Sequence, residues 1–179
     1  MIPAVFLDRD GVINTCIVKE RLPYPPKLLS EVKILSGVSE SIGLLRESNF
    51  EIVVVSNQPD VARGTSTERE VEQINEYISH KLGLKFFYTC FHDDADVCEC
   101  RKPKSGLLRM AARDLDIDLG LSFMVGDRWR DIAAGQTAGC KCYFIDYSYN
   151  EKMPQKPYFK VDSLHQAVIH MVKGHHETI

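Results

Sequence analysis

The chain has 179 residues, 44% of them apolar and 26% charged, with a formal net charge of −3 at pH 7. This is enough chain for one domain with a real core, in proportions ordinary for a globular protein. The slightly acidic balance and the lack of a dense Lys/Arg stripe exclude general nucleic-acid binding. No apolar run approaches the roughly 20 residues that span a bilayer. The start, Met1-Ile2-Pro3-Ala4, lacks the basic region of a secretory signal, so a cytoplasmic protein without a membrane partner is expected.

Ala4-Val5-Phe6-Leu7 reads as a short buried strand that runs into Asp8, Arg9, Asp10 and Gly11. On an extended segment residues i and i+2 point the same way, which brings Asp8 and Asp10 together past the strand end. Gly11 permits the turn that follows. An irregular segment is expected through about residue 35, because Pro23, Pro25 and Pro26 exclude regular helix. Such a loop serves either as a substrate contact or as a surface connection.

A helix over residues 38–48 carries Val38, Ile42 and Leu45 at helical spacing, and Glu51–Ser56 is a β-branched buried strand. Thr67-Glu68-Arg69-Glu70 matches a capping box for a helix with Val71, Ile74, Ile78 and Leu82 on one face, ending near Gly83. Phe86–Thr89 is the third strand, and Ser105 is placed to cap a helix containing Leu108 and Ala111. Leu121–Val125 is the fourth strand, followed by Gly126-Asp127, a short alanine-rich helix and Gly139. Lys141–Ile145 and Phe159–Val161 complete the strands, and Ser163 opens a last helix with Leu164, Val168 and Met171.

Strand–helix alternation of this kind predicts an α/β fold: a Rossmann-like, mainly parallel sheet with helices on both faces and no separate cap domain. One domain over residues 1–173 is expected, with residues 174–179 a frayed tail. In a parallel sheet the polar strand ends meet along one edge. Those ends carry Asp8 and Asp10, Ser56 and Asn57, and Asp127.

Two carboxylates in one small space repel unless a cation lies between them or one is protonated. A hard divalent ion such as Mg²⁺, which takes oxygen ligands, is one answer. Taken alone, Asp-x-Asp-Gly reads better as a polar turn with two solvated acids; its position behind a buried strand, and the motifs that follow, favour the metal. Three of the six cysteines, Cys90, Cys98 and Cys100, crowd around His92. Cys₃His is the composition of a closed structural zinc site, although these pairs are spaced one residue apart where two to four is commoner. The competing reading is three buried thiols and a surface histidine. Four soft ligands within eleven residues favour zinc, in a reducing compartment.

Asp8-Arg9-Asp10-Gly11-Val12-Ile13-Asn14, Ser56-Asn57-Gln58, Arg101-Lys102-Pro103-Lys104 and Gly126-Asp127-Arg128-Trp129-Arg130-Asp131 resemble, in order, the four motifs of the haloacid dehalogenase-like phosphohydrolases. The Cys-x-His and Cys-x-Cys pairs before Arg-Lys-Pro are similar to the D-glycero-D-manno-heptose 1,7-bisphosphate phosphatases, with histidinol-phosphate phosphatases close by. The resemblance implies a Mg²⁺-dependent phosphomonoesterase acting on a small phosphorylated sugar, through an aspartyl phosphate. Asp8 is then the nucleophile and Asp10 the acid and base. Ser56 and Lys102 surround the phosphoryl group. Asp8, Asp10 and Asp127 form the Mg²⁺ site, Asp10 through its main-chain carbonyl. Asn14, Ser56, Asn57, Arg101, Lys102 and Arg128 are expected substrate contacts, and Cys90, His92, Cys98 and Cys100 the zinc ligands. Asp131 either supports the site from one helical turn away or is a helix-start acid favoured by the dipole.

Departures from the heptose pattern concern substrate choice: Pro59-Asp60 stands where Ser-Gly is expected, Phe91 where Pro is usual, and Asp93 where His is common. The favoured reading is removal of the 7-phosphate from heptose 1,7-bisphosphate by a monomer. Hydrolysis of histidinol phosphate or another small phospho-metabolite is the alternative within the class, and a noncatalytic zinc-stabilised phosphate-binding module the alternative outside it. The presence of all five family groups, Asp8, Asp10, Ser56, Lys102 and Asp127, weighs against the module.

Overall fold

The computed structural model describes residues 1–176. Eight strands and five helices alternate: β1 (Ala4–Leu7), β2 (Ile17–Lys19), β3 (Leu22–Tyr24), α1 (Val38–Glu47), β4 (Glu51–Asn57), α2 (Glu68–Leu82), β5 (Phe86–Cys90), α3 (Gly106–Leu115), β6 (Phe123–Gly126), α4 (Trp129–Ala138), β7 (Lys141–Ile145), β8 (Phe159–Val161) and α5 (Leu164–His176). Six strands form one sheet in the order β5-β4-β1-β6-β7-β8, and every neighbouring pair is parallel. The mainly parallel α/β fold expected from the alternation is the fold observed.

The central strands are buried on both faces, so their alternation sorts apolar against apolar. Val5 and Leu7 pack with Ile42 of α1, Ile78 of α2 and Val168 of α5. Ala4 and Phe6 pack on the opposite face with Leu108 of α3 and Ile132 of α4. Asp8 continues the Ala4–Phe6 parity, toward the α3 and α4 side. The chain leaves β1 for β4 on one flank and later returns for β6 on the other. β1 and β6 are therefore the switch point, and the crevice past their carboxyl ends is where such sheets receive ligands.

Local signals hold at most boundaries. Thr67 Oγ1 accepts from Glu70 N at 3.2 Å while the Glu70 carboxylate takes Thr67 N at 2.8 Å, and Gly83 closes α2 in the left-handed region. Ser163 Oγ accepts from Gln166 N at 3.2 Å at the start of α5. Ser105 occupies the N-cap position of α3, but makes no side-chain cap bond and instead accepts from Arg109 Nε. The fourth strand starts two residues late, because Leu119–Leu121 is a 3₁₀ turn. α5 takes in Gly174–His176 of the expected tail; the rest of it, residues 177–179, lies outside the described residues.

The segment expected to be irregular contains an antiparallel hairpin, with Ile17 opposite Tyr24 and Lys19 opposite Leu22. Its two turn residues, Glu20 and Arg21, have φ of 51° and 61°. A two-residue hairpin turn requires positive φ at both positions, normally supplied by Asn-Gly, and Glu-Arg conceals that signal. Tertiary bonds hold the turn: Arg21 Nη2 donates to Ser148 O at 2.9 Å and Asn150 N to Arg21 O at 2.8 Å. No helix among the described residues is long and apolar enough to cross a membrane.

Leu108 is completely buried beneath the sheet. Leu108→Ala should lower unfolding free energy by about 2–5 kcal/mol, and Thr67→Ala by only about 1 kcal/mol, as read by urea denaturation.

Candidate active site

Asp8 is 7% exposed, Lys102 2% and Asp127 1%. Asp8 N donates to Val125 O at 3.0 Å, which fixes the end of β1 against β6. The Lys102 ammonium lies between two carboxylates, 2.8 Å from Asp8 Oδ1 and 2.6 Å from Asp131 Oδ1, and also donates to Val55 O at 2.8 Å. Burial alone would lower this ammonium, but Asp131 and Asp8 more than offset it and hold it above the ordinary lysine value.

Two glycines allow the acids to approach. Gly11 has φ +89°, and a Cβ there would stand 2.0 Å from Asp127 Oδ2. A Cβ on Gly126 would stand 2.1 Å from Asp131 Cβ. Asp131 Oδ2 accepts from Arg128 N at 3.0 Å, so one carboxylate both caps α4 and holds Lys102. The two readings of Asp131 are therefore both present.

Asp8, Asp127 and Asp131 offer carboxylate oxygens that all lie within 4.8 Å of one another. When ionised, these three charges and Lys102 leave a net −2 in a buried space. Both Asp127 oxygens are buried without a hydrogen-bond partner; the Tyr149 hydroxyl is close but does not reach bonding geometry. A buried unpaired carboxylate is costly, and an all-oxygen donor set suits a hard divalent cation. The residues present fit Mg²⁺. Without a cation, burial pushes Asp8 up to about 7, with Lys102 opposing and Asp131 and Asp10 adding. Burial, then Asp8 and Asp131, raise Asp127 well above its ordinary value.

The Asp10 carboxyl lies outside this oxygen group but lines the same cavity as Asp8, and its charge acts on Asp8. Asp10 instead accepts from Arg9 Nη2 at 3.0 Å, Asn14 Nδ2 at 2.9 Å and Gln58 Nε2 at 2.7 Å. Asn14, expected at the substrate, is fully buried and serves Asp10. Asn57 is likewise engaged: its amide exchanges two bonds with the Lys102 main chain, at 3.0 and 3.1 Å. Ser56 is buried, its Oγ accepting from Gln58 at 2.8 Å. The buried Arg9 and Gln58 lie inside motifs that the sequence analysis quotes, but it assigns them no role.

A polar cavity of about 230 Å³ is lined by Asp8, Asp10, Lys102 and Asp131, by Leu22–Pro25 around β3, and by Arg63, Arg101, Arg128 and Arg130. Each arginine is paired. Arg101 Nε donates to Asp94 Oδ1 at 2.9 Å and Arg130 Nη1 to the same atom at 3.1 Å. Arg63 binds Asp93, and Arg128 binds Glu151. Trp129 lies outside the cavity lining, under the Arg130 and Lys152 cations.

Cys90, His92, Cys98 and Cys100 converge on the expected zinc position, with all four ligand atoms within 4.8 Å. Cys90–Cys98 is 3.9 Å, Cys90–His92 Nδ1 3.5 Å and His92 Nδ1–Cys100 3.3 Å, with Cys90–Cys100 shorter at 2.9 Å. Tetrahedral zinc–thiolate bonds put sulfurs about 3.8 Å apart; the Cys90–Cys98 spacing matches this while Cys90–Cys100 is shorter, and the four residues form a group that could hold a metal ion.

A hydrolase family model described as HAD-hydrolase-like matches residues 99–167. A Haemophilus ducreyi protein named D-glycero-beta-D-manno-heptose-1,7-bisphosphate 7-phosphatase is 33% identical over 77% of this chain and 79% of its own. The Escherichia coli K12 protein of the same name is 35% identical over 76% and 75%. The chain belongs to the haloacid dehalogenase-like hydrolases. A crystal structure of D,D-heptose 1,7-bisphosphate phosphatase from B. bronchiseptica, complexed with magnesium and phosphate, superposes on this family member with a TM-score of 0.84. It is 26% identical and covers 97% of this chain and 99% of its own.

The raised carboxyls give the metal-free protein a signed pH dependence. Asp8 rises from 3.8 unfolded to about 7 folded, so its stabilising protonation is fully present below pH 3.8 and lost as pH rises through 7. A divalent cation replaces that proton. The gain in melting temperature on adding Mg²⁺ should therefore grow between pH 5 and pH 7.5, as measured by paired thermal melts; a constant gain would contradict the cation site.

Proposed function

We propose that this protein is a Mg²⁺-dependent phosphomonoesterase that removes the 7-phosphate of D-glycero-D-manno-heptose 1,7-bisphosphate. The observation that carries the chemistry is the buried cluster of Asp8, Lys102, Asp131 and the unpartnered Asp127 beside a polar cavity. The names of the Haemophilus ducreyi and Escherichia coli relatives support the substrate.

In this reading Asp8 and Asp127, with the Asp10 main-chain carbonyl, would hold Mg²⁺ next to Asp131. When bound, the ion offsets the repulsion between the Asp8 carboxylate and the phosphate. An Asp8 oxygen attacks phosphorus in line, and the bond from phosphorus to the sugar oxygen breaks. Asp10 gives its proton to that leaving oxygen. It then takes one from the water that attacks the aspartyl phosphate, which restores Asp8 and releases phosphate. Lys102, held by Asp8, Asp131 and Asn57, supplies fixed positive charge to the phosphoryl oxygens, and Ser56 supplies a hydroxyl.

Arg101 and Arg128 serve the distal anionic part of the substrate, where a phosphate competes with Asp94 and Glu151 for them. Cys90, His92, Cys98 and Cys100 bind a structural zinc. Because Cys100 directly precedes Arg101 and Lys102, zinc fixes where both cations project. We assign the described residues, through the end of α5, to one phosphatase domain acting as a cytoplasmic monomer; the expected tail from residue 174 instead begins inside that helix.

Phosphate release should be measured with Mg²⁺ on both anomers of heptose 1,7-bisphosphate, fructose 1,6-bisphosphate and histidinol phosphate. The expected result is preference for one heptose anomer, no turnover by Asp8→Asn, and a loss of about 10²–10⁴ in kcat for Asp10→Asn. Preference for histidinol phosphate would overturn the substrate. Elemental analysis of purified protein should find about one zinc per chain, and Cys98→Ser should lower both zinc content and thermal stability.

A further inference from the structure

Gln58 follows directly on β4 and is 2% exposed, deeply buried for a polar side chain. Its backbone is anchored, since Gln58 N donates to Cys90 O at the end of β5 at 2.8 Å. Its side-chain nitrogen carries two hydrogens, and both have acceptors: Asp10 Oδ2 at 2.7 Å and Ser56 Oγ at 2.8 Å. A buried amide with both hydrogens committed has little freedom to turn. The contact to Asp10 is also the shortest that the carboxyl makes: Asn14 Nδ2 stands at 2.9 Å from Oδ1 and Arg9 Nη2 at 3.0 Å from Oδ2.

We infer that Gln58 is a positioning residue that holds the Asp10 carboxyl in reach of the leaving oxygen and ties it to Ser56 on β4. This rests on the phosphatase reading above, in which Asp10 is the acid and base. Gln58 touches neither phosphorus nor the leaving group; it acts through Asp10. Arg9 and Asn14 hold the carboxyl from the β1 side of the site, and Gln58 is the link from β4. Without it the carboxyl is held by Arg9 and Asn14 alone, with no tie to the β4 side. Because Ser56 Oγ accepts from Gln58, the Ser56 hydrogen is left to donate to another acceptor.

A role through Asp10 differs from a merely structural one in its dependence on the leaving group. Departure of a sugar oxygen needs a proton from Asp10, whereas departure of p-nitrophenolate needs none. The ratio kcat/KM reports events up to that departure and is blind to the later hydrolysis of the aspartyl phosphate. The experiment measures kcat/KM of the Mg²⁺-loaded wild type, Gln58→Met and Asp10→Asn on the best sugar phosphate and on p-nitrophenyl phosphate. Thermal melts check folding. Gln58→Met should lose at least tenfold more on the sugar phosphate than on the aryl phosphate, a pattern that Asp10→Asn shows more strongly.

Equal losses on the two substrates, or no loss on either, would overturn the inference. Should Gln58→Met not fold, Gln58→Asn, which keeps the amide but shortens its reach, is read for the same split. Failure of the wild type to hydrolyse either phosphate would instead sink the phosphatase reading, and the inference with it.

Discussion

Three carboxylates surround one ammonium in the interior of this protein, and the rest of the site is arranged around that imbalance. Lys102 bridges Asp8 and Asp131, while Asp127 stands beside them with no partner for either oxygen. Such a group is unfavourable as a purely structural core, because buried charge is costly unless it is paired. A divalent cation would offset the excess negative charge. The glycines support the same conclusion: Gly11 and Gly126 leave space that any side chain would fill, and both spaces are taken by carboxylates.

The Cys/His loop and the sheet meet at Lys102. From one direction Cys98 and Cys100 lead into Arg101 and Lys102. From the other, Asn57 at the end of β4 grips the Lys102 main chain through both amide atoms. Gln58, the next residue, is bonded through its backbone to Cys90, itself one of the four zinc-binding candidates. The metal-binding group and the catalytic acids thus share a short stretch of hydrogen-bonded main chain. Loosening the loop should be felt at Asp10 and Lys102 without any long-range change in the fold. The arginines that face the cavity are each paired with an acid, so an anion entering there would exchange one charged partner for another and would not meet bare cations.

Much was legible before any coordinates. Buried strands showed as β-branched runs, and helices as apolar residues three and four apart. Thr67 and Gly83 marked the ends of α2 because capping chemistry is local. The four zinc-binding candidates were readable because soft ligands within eleven residues are close enough along the chain for one short loop to bring them together. The hairpin was missed because Glu20 and Arg21 adopt left-handed conformations that their residue types disfavour. Arg21's bonds to the Ser148 and Asn150 backbone hold the turn, far away in the chain.

By itself the sequence determined the parallel α/β architecture, the order of its strands along the chain, and the set of chemically competent residues at the strand ends. These follow from short-range periodicity and from topology rules that act on any such alternation. Only the tertiary structure decided how those residues divide the work. Asp131 completed the buried group with Asp8, Asp127 and Lys102, while the Asp10 carboxyl was fixed at the same cavity by Arg9, Asn14 and Gln58. Asn14, Asn57 and Gln58 became supports for other side chains, and Arg101 and Arg128 acquired acidic partners. Several of these outcomes depend on groups 23 to 48 residues distant, as for Asn57 with Lys102, Gln58 with Asp10 and Arg128 with Glu151, at a separation and angle that no local pattern encodes.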